Sequence, residues 1–294
     1  DPLFNRAMSG IGFPTGSVIK PLVALGALQE GVIGEDTSIF APFEICVWNR
    51  YAKQDECFRD WKFHGQSDVK RAIAESVNTF FYIIGGGYQN YQGLGAENIK
   101  KYLEMFGWGN PTGIDIPEEG QGTLPVFDKN WRLGDTYHLS IGQGPFATTP
   151  LQVASAFAAI ANGGTLLEPQ AVQKFLDKDK KVLEAVQPKI AQKDFASPEN
   201  IEIVREGMRQ TVTAGSATGF LDHLGVRAAA KTGTAQTGRK TSDGKDYLYS
   251  WTVAFAPYDN PEIVLVVVVE NIREGQVAAL PVVRDALQWY FNKQ

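Results

Sequence analysis

The sequence predicts an α/β fold of the α+β kind: an antiparallel sheet flanked by helices, with a mostly helical subdomain inserted. Three observations carry this. The C-terminal quarter holds three β-rich runs, Ala228–Gln236, Tyr247–Ala256 and Glu262–Glu270, joined by the short turn-like segments 237–246 and 257–261. Parallel neighbours would need crossovers of a dozen or more residues, so these runs read as an antiparallel meander. Apolar helical segments lie near both ends, and the middle of the chain alternates helical patterns with Gly- and Pro-rich loops. The sheet-containing part is therefore expected at about 1–36 and 165–294, and the mostly helical part at about 37–164.

Taken in order, an apolar segment from Ser17 to about Leu28 reads as a buried helix, preceded by Pro14-Thr15-Gly16 and followed by Gly31. Pro21 has no N–H and its ring crowds the carbonyl four residues back, so the helix must begin close to Ser17. Residues 37–65 show no steady period. Ser67 is expected to cap a single helix carrying Val69, Ile73, Val77 and Phe80-Phe81 on one face, ended by Gly85-Gly86-Gly87. A short helix is expected over Asn98–Phe106, then loop over Gly107–Pro125, then a buried helix over Thr149–Ala161 stopped by Asn162-Gly163-Gly164. Gln170–Val186 resembles a hairpin turning at Asp177–Lys180, and Gln276–Phe291 closes the chain as a helix packed, like the first, on the sheet.

Composition narrows the function. Hydrophobic residues make up 44% and charged residues 21% of 294, enough apolar content for a sizeable core. The net charge of −5, with no basic block, argues against a nucleic-acid partner. No apolar run reaches the roughly 18–20 residues that span a bilayer, and the first residues lack a signal-peptide layout; any cellular address is expected outside this chain. Cys46 and Cys57, the only two cysteines, are compatible with a short disulfide or with part of a metal site.

Three short motifs carry chemistry. Ser17-Val18-Ile19-Lys20 places a hydroxyl and an amine on one helical face. A serine hydroxyl is a weak nucleophile until a base takes its proton, and a lysine desolvated by Val18, Ile19, Leu22 and Val23 favours the neutral amine that can do so. The spacing alone is uninformative, since Ser67–Lys70 and Ser242–Lys245 share it, but only Ser17 has the apolar setting. Ser76-Val77-Asn78 supplies a hydroxyl to pass a proton and an amide to recognise a carbonyl or hold Lys20. Lys231-Thr232-Gly233-Thr234, opening the meander, supplies positive charge, hydroxyls for a carboxylate and a glycine that admits substrate close to the backbone.

The trio, in this order, is the motif set of β-lactamases and penicillin-binding proteins. The chain resembles, along nearly its whole length, the transpeptidase domain of class B penicillin-binding proteins of the elongation type, the penicillin-binding protein 2 group. The similarity runs through Phe13-Pro14-Thr15-Gly16-Ser17, Phe58-Arg59-Asp60-Trp61-Lys62, His64-Gly65, Ala74–Tyr82, Thr112–Pro117, Gly122–Pro125, Gly142-Gln143-Gly144, Thr149–Gln152 and Ala161–Gly164. The resemblance implies a serine β-lactamase/transpeptidase-like fold and an acyl-enzyme mechanism. Ser17 would attack the D-Ala-D-Ala bond of a stem peptide and Lys20 would act as base. Ser76 and Asn78 would relay the proton and bind amide, while Lys231, Thr232, Gly233 and Thr234 would hold the terminal carboxylate. The N–H groups of Ser17 and Thr234 would form the oxyanion hole. It further implies peptidoglycan stem peptides and β-lactam antibiotics as ligands and membrane proteins of the elongation machinery as partners. An extracytoplasmic (periplasmic) location on an anchor absent from this chain, and no cofactor for catalysis, are implied as well.

Some members of the family bind zinc near the cleft, through residues matching Cys46, Asp60, His64 and a cysteine at position 77. Valine stands there, and Cys57 is the substitute that would complete a structural zinc site; a Cys46–Cys57 disulfide is the alternative. Three rival activities share the first chemical step: a serine β-lactamase, which needs a water-activating base; an acylated β-lactam sensor; and a D,D-carboxypeptidase, with water as acceptor.

Overall fold

The computed structural model describes residues 4–292. A short 3-10 turn, Gly16–Ile19, runs directly into helix α1, Lys20–Gln29, with Pro21 in its first turn as the missing N–H requires. Every residue of α1 from Lys20 to Leu28 is buried. It is a central helix, packed against helices on several sides rather than laid with one stripe on a sheet.

The stretch that lacked a period in sequence contains four strands: β1 (Ile39–Ala41), β2 (Glu44–Asn49), β3 (Gln54–Arg59) and β4 (Gly65–Ser67). β1 pairs with β4, and β2 with β3, antiparallel. They escape detection because they are short and mostly solvent-facing; in the β2–β3 hairpin only Ile45 and Phe58 are buried, so no two-residue alternation develops. Cys46 faces Cys57 across that hairpin, and the two form a disulfide. Thiol titration of unfolded, unreduced protein is therefore expected to find no free thiol. Reduction opens a link of sequence separation 11 and should cost at most about 3 kcal/mol of chain entropy; denaturant unfolding with and without reductant measures it.

The single helix expected from Ser67 is two helices. Asp68, not Ser67, caps α2 (Val69–Ala74), its carboxylate accepting from Arg71 N at 2.8 Å. The chain breaks at Glu75-Ser76-Val77, where Ser76 has φ +58°, and restarts as α3 (Asn78–Gly86). No glycine or proline marks the break. Tertiary contacts around Ser76, described below, override a locally helical sequence.

Further on come α4 (Ala96–Met105), α5 (Leu133–Ser140) and α6 (Pro150–Ala161). α6 opens with a reciprocal cap: Thr149 Oγ1 accepts from Gln152 N and Gln152 Oε1 accepts from Thr149 N. β5 (Leu166–Leu167) pairs with β8 (Ile190–Gln192). Between them β6 (Lys174–Leu176) and β7 (Val182–Ala185) form the expected hairpin around Asp177. α7 (Pro198–Thr213) was not anticipated, although Ser197 caps it and Ile201, Val204, Met208, Thr211 and Val212 keep helical spacing.

The meander is as expected: β9 (Ala229–Lys240), β10 (Asp246–Ala256) and β11 (Ile263–Ile272), antiparallel in the order β11-β10-β9. Side chains alternate strictly between two cores. Trp251, Val253 and Phe255 join the large core shared with α1, α3 and α6, while Ala254 and Ala256 face Leu280, Val283 and Leu287 of α8 (Ala279–Phe291). The last helix thus packs on the sheet as expected. The first meets it chiefly through the 3-10 turn, against β9 and β10, and α7 and α6 pack on the sheet beside it. With β10 in the middle, β9 is an edge strand.

Candidate active site

Ser17 sits in the 3-10 turn, which lies flush against β9. Gly16 has φ +53°, and a Cβ there would stand 2.1 Å from the Thr234 carbonyl oxygen; a Cβ on Gly233 would stand 2.6 Å from that of Thr15. Only residues without side chains allow this contact. Gly16 N donates to Gly142 O at 3.0 Å, and Trp251 Nε1 to Pro14 O at 3.0 Å, fixing the turn from both sides.

Three residues on, Lys20 is fully buried. Its Nζ donates to Ser76 O (2.7 Å), Asn78 Oδ1 (2.7 Å) and Ser76 Oγ (3.2 Å), and lies 5.3 Å from the centre of the Phe81 ring. These bonds explain the helix break: the positive φ at Ser76 turns both its carbonyl and its hydroxyl toward the amine. Burial, with the charge of Lys231 behind it, holds the Lys20 amine well below the usual lysine range; Asp60 pulls the other way. Lys231, also fully buried, donates to Ser76 Oγ at 3.0 Å and to Thr232 O at 2.9 Å, and burial pushes its amine down to about 7. One hydroxyl therefore stands between two desolvated amines.

The structure brings Ser17, Ser76, Asn78, Thr232, Gly233 and Thr234 to one cleft of about 320 Å³, with Lys20 and Lys231 directly beneath it. The matching triplets elsewhere lead nowhere. Lys70 is paired with Glu35 and Glu206, which raise its pKa, and Ser242 lies in the β9–β10 turn. Sequence reasoning missed Ser216, whose Oγ lies 2.6 Å from Thr232 Oγ1 and whose N–H donates to Ala74 O at 3.1 Å. A lone serine after a helix gives no signal in one sequence. Gln143 and Trp61, noted only through family resemblance, also line the cleft, and Gln143 Nε2 lies 3.4 Å from Thr234 O. A larger surface cavity of about 470 Å³ between Trp48, Tyr51 and Arg132 contains none of these groups.

The four-residue zinc set does not form. The disulfide consumes the thiols of Cys46 and Cys57, which leaves Asp60 and His64 as donors. Both Thr79 N (2.8 Å) and Thr79 Oγ1 (3.0 Å) already donate to Asp60 Oδ2. A structural zinc site asks for four ligands, so these residues do not fit one.

A buried amine three residues after a serine, a hydroxyl shared with a second buried amine and an amide alongside are an arrangement for acyl transfer through a serine ester. The model of the penicillin-binding-protein transpeptidase domain matches residues 1–288. The peptidoglycan D,D-transpeptidase MrdA of Haemophilus influenzae is 34% identical over 316 aligned residues, covering 100% of this chain and 46% of the relative. Penicillin-binding protein 2A of Bacillus subtilis is 33% identical over 284 residues, covering 87% and 37%. The chain spans about half the length of the curated MrdA relatives it matches. Among solved structures, PBP2 of Pseudomonas aeruginosa superposes with a TM-score of 0.82 at 29% identity, over 98% of this chain and 63% of that one. PBP2 of Helicobacter pylori, solved with MreC, gives 0.79 at 30% identity, over 99% and 51%. With the fold, the order of the motifs and these matches in agreement, the chain belongs to the penicillin-binding-protein transpeptidase family.

Proposed function

We propose that this chain is the acyl-transfer domain of a peptidoglycan D,D-transpeptidase of the elongation type. The observation that carries the reading is the buried Lys20–Ser76–Lys231 chain of hydrogen bonds beside Ser17. The Ser17 hydroxyl attacks the carbonyl of the penultimate D-alanine, forming a C–O bond as the C–N bond breaks. Lys20, neutral when desolvated, takes the hydroxyl proton, and Ser76, in contact with both amines, passes a proton to the departing D-alanine. Backbone N–H groups of Ser17 and Thr234 hold the oxyanion. Lys231, Thr232 and Thr234 take the terminal carboxylate, with Ser216 orienting Thr232. An amine from a second stem peptide then attacks the ester, re-forming Ser17 and leaving a cross-link. The cleft lies where the two expected subdomains meet, Ser17 and Lys231 coming from the sheet-containing one and Ser76 and Asn78 from the helical one.

The contents of the cleft disfavour a β-lactamase. Its carboxylate, Glu75, is pushed up by burial but driven down to about 2 by hydrogen bonds from Lys62, Arg71 and His64, too weak a base to activate water. Glu119, in the neighbouring loop, is occupied by Thr112 and Gly113. Membrane partners of the elongation machinery and an extracytoplasmic location belong to the same reading, supported by the relative solved with MreC. Incubation with a fluorescent penicillin is expected to give a stable adduct mapped by mass spectrometry to Ser17, with negligible turnover of a chromogenic cephalosporin. No adduct on folded protein, or rapid turnover, overturns it.

A further inference from the structure

His64 has a fully buried side chain whose Nδ1 lies 3.0 Å from Glu75 Oε2 and whose Nε2 lies 3.5 Å from Asp60 Oδ1. That Nε2 is the one buried side-chain polar atom without a hydrogen-bond partner among the described residues. Both acids it faces are tied to a helix end, Asp60 by its carboxylate and Glu75 by its backbone N–H, which donates to Arg71 O and Ile73 O. Asp60 caps α3 through Thr79, one residue after Asn78. Glu75 closes α2 and directly precedes Ser76. The ring therefore spans the break that presents Ser76 and Asn78 to Lys20. Lys62 (2.9 Å) and Arg71 (2.7 Å) compensate the Glu75 charge, and the Trp61 ring, 5.3 Å away edge-on, covers the imidazole. With both thiols in the disulfide, the four-donor set considered for zinc is not available at this position.

We propose that His64 is a positioning residue of the acylation site: its ring, hydrogen-bonded to Glu75 through Nδ1 and packed 3.5 Å from Asp60 through Nε2, links the two acids without a metal and fixes the turn carrying Ser76 and Asn78. The inference rests on the acylation reading. A bridge between two helix ends acts on the geometry of the proton relay, and a misplacement of about 1 Å there costs up to about 10²-fold in rate. Affinity for the β-lactam, set by the Lys231–Thr234 strand on the far wall, should change little.

The test is the time course of fluorescent-penicillin acylation at several concentrations, which separates the limiting rate from the apparent affinity. Zinc content is measured alongside. In the full chain, chelator treatment is expected to leave the rate unchanged. His64→Ala should lower the limiting rate about 10–100-fold with little change in apparent affinity. Glu75→Gln, which keeps the shape of a partly exposed side chain, should lower it less, and the double variant should be no slower than His64→Ala, since the two act through one bridge. If His64→Ala does not fold, Glu75→Gln alone decides. Stoichiometric zinc whose removal stops acylation overturns the proposal, as does a variant that loses thermal stability but acylates at the original rate. Unlabelled wild-type protein would overturn the acylation reading itself; labelled wild type with unaffected variants overturns only the role of His64.

Discussion

Exchanging Lys20 for methionine is expected to slow acylation of Ser17 by about 10²–10⁴-fold, the range a positioned general base supplies, while the protein stays folded. Methionine fills a similar volume and removes the cost of burying an amine. It leaves the acceptors on Ser76 and Asn78 without their donor, about 1–3 kcal/mol for each one that stays unsatisfied, so a lowered melting temperature is expected alongside. The buried amine is costly to the fold: Lys231, at about 7, binds its proton more weakly than in the unfolded chain. Both lysine shifts are downward, so the folded state holds fewer protons between the folded value and the ordinary lysine value near 10.5. Stability from this source rises with pH across that window and is lowest below it. The rate is expected to follow the same sign, because in the proposed mechanism it is the neutral Lys20 amine that accepts the serine proton. The limiting rate of acylation should climb with pH through the depressed Lys20 titration, whereas apparent affinity for the carboxylate-bearing ligand should weaken above about pH 7 as Lys231 loses its charge. In Lys20→Met the rising limb should vanish. An acylation rate within about tenfold of wild type, or an unchanged limb, would remove Lys20 from the role of base.

The second large effect is expected from Gly16→Ala. The added methyl would stand 2.1 Å from the Thr234 carbonyl oxygen, and the residue would be held at φ +53°, a region that costs a non-glycine residue about 1–3 kcal/mol. Neither backbone can yield locally, since Gly16 is tied to Gly142 and Thr234 belongs to a paired strand. The turn and the strand must part, and with them the two N–H groups proposed to hold the oxyanion. Loss of one such donor costs about 10²–10³-fold; the acylation rate should fall at least that far, with a lowered melting temperature. A Gly16→Ala variant that acylates normally would show that the nucleophile turn does not need its contact with β9.

How much of this was legible without coordinates depended on whether burial leaves a periodic trace. β10 and β11 alternate between two cores, and α6 carries both its caps in sequence, so each was found within a few residues. The β2–β3 hairpin buries only Ile45 and Phe58, one residue per strand, and so left no alternation to read. The break between α2 and α3 was invisible for another reason. Ala74-Glu75-Ser76-Val77-Asn78 is acceptable helix, and the bonds from Lys20, 56 and 58 positions away, bend it. The catalytic candidates Ser17, Lys20, Ser76 and Lys231 could be named because their residue types and order are chemically demanding. Ser216 could not, and His64 could be named only as a metal-ligand candidate through the family resemblance, because what each does here lies in which neighbours it touches.

One consequence follows from the order of the sheet. Among the described residues no strand pairs with the outer side of β11, which reads Ile263-Val-Leu-Val-Val-Val-Val269. Such a run offers a row of unmatched amide and carbonyl groups bearing β-branched side chains, the template on which copies of a chain add to one another. Self-association at high concentration is therefore expected to start at the rim opposite the cleft, where a lysine or proline introduced facing water should raise solubility without approaching the chemistry.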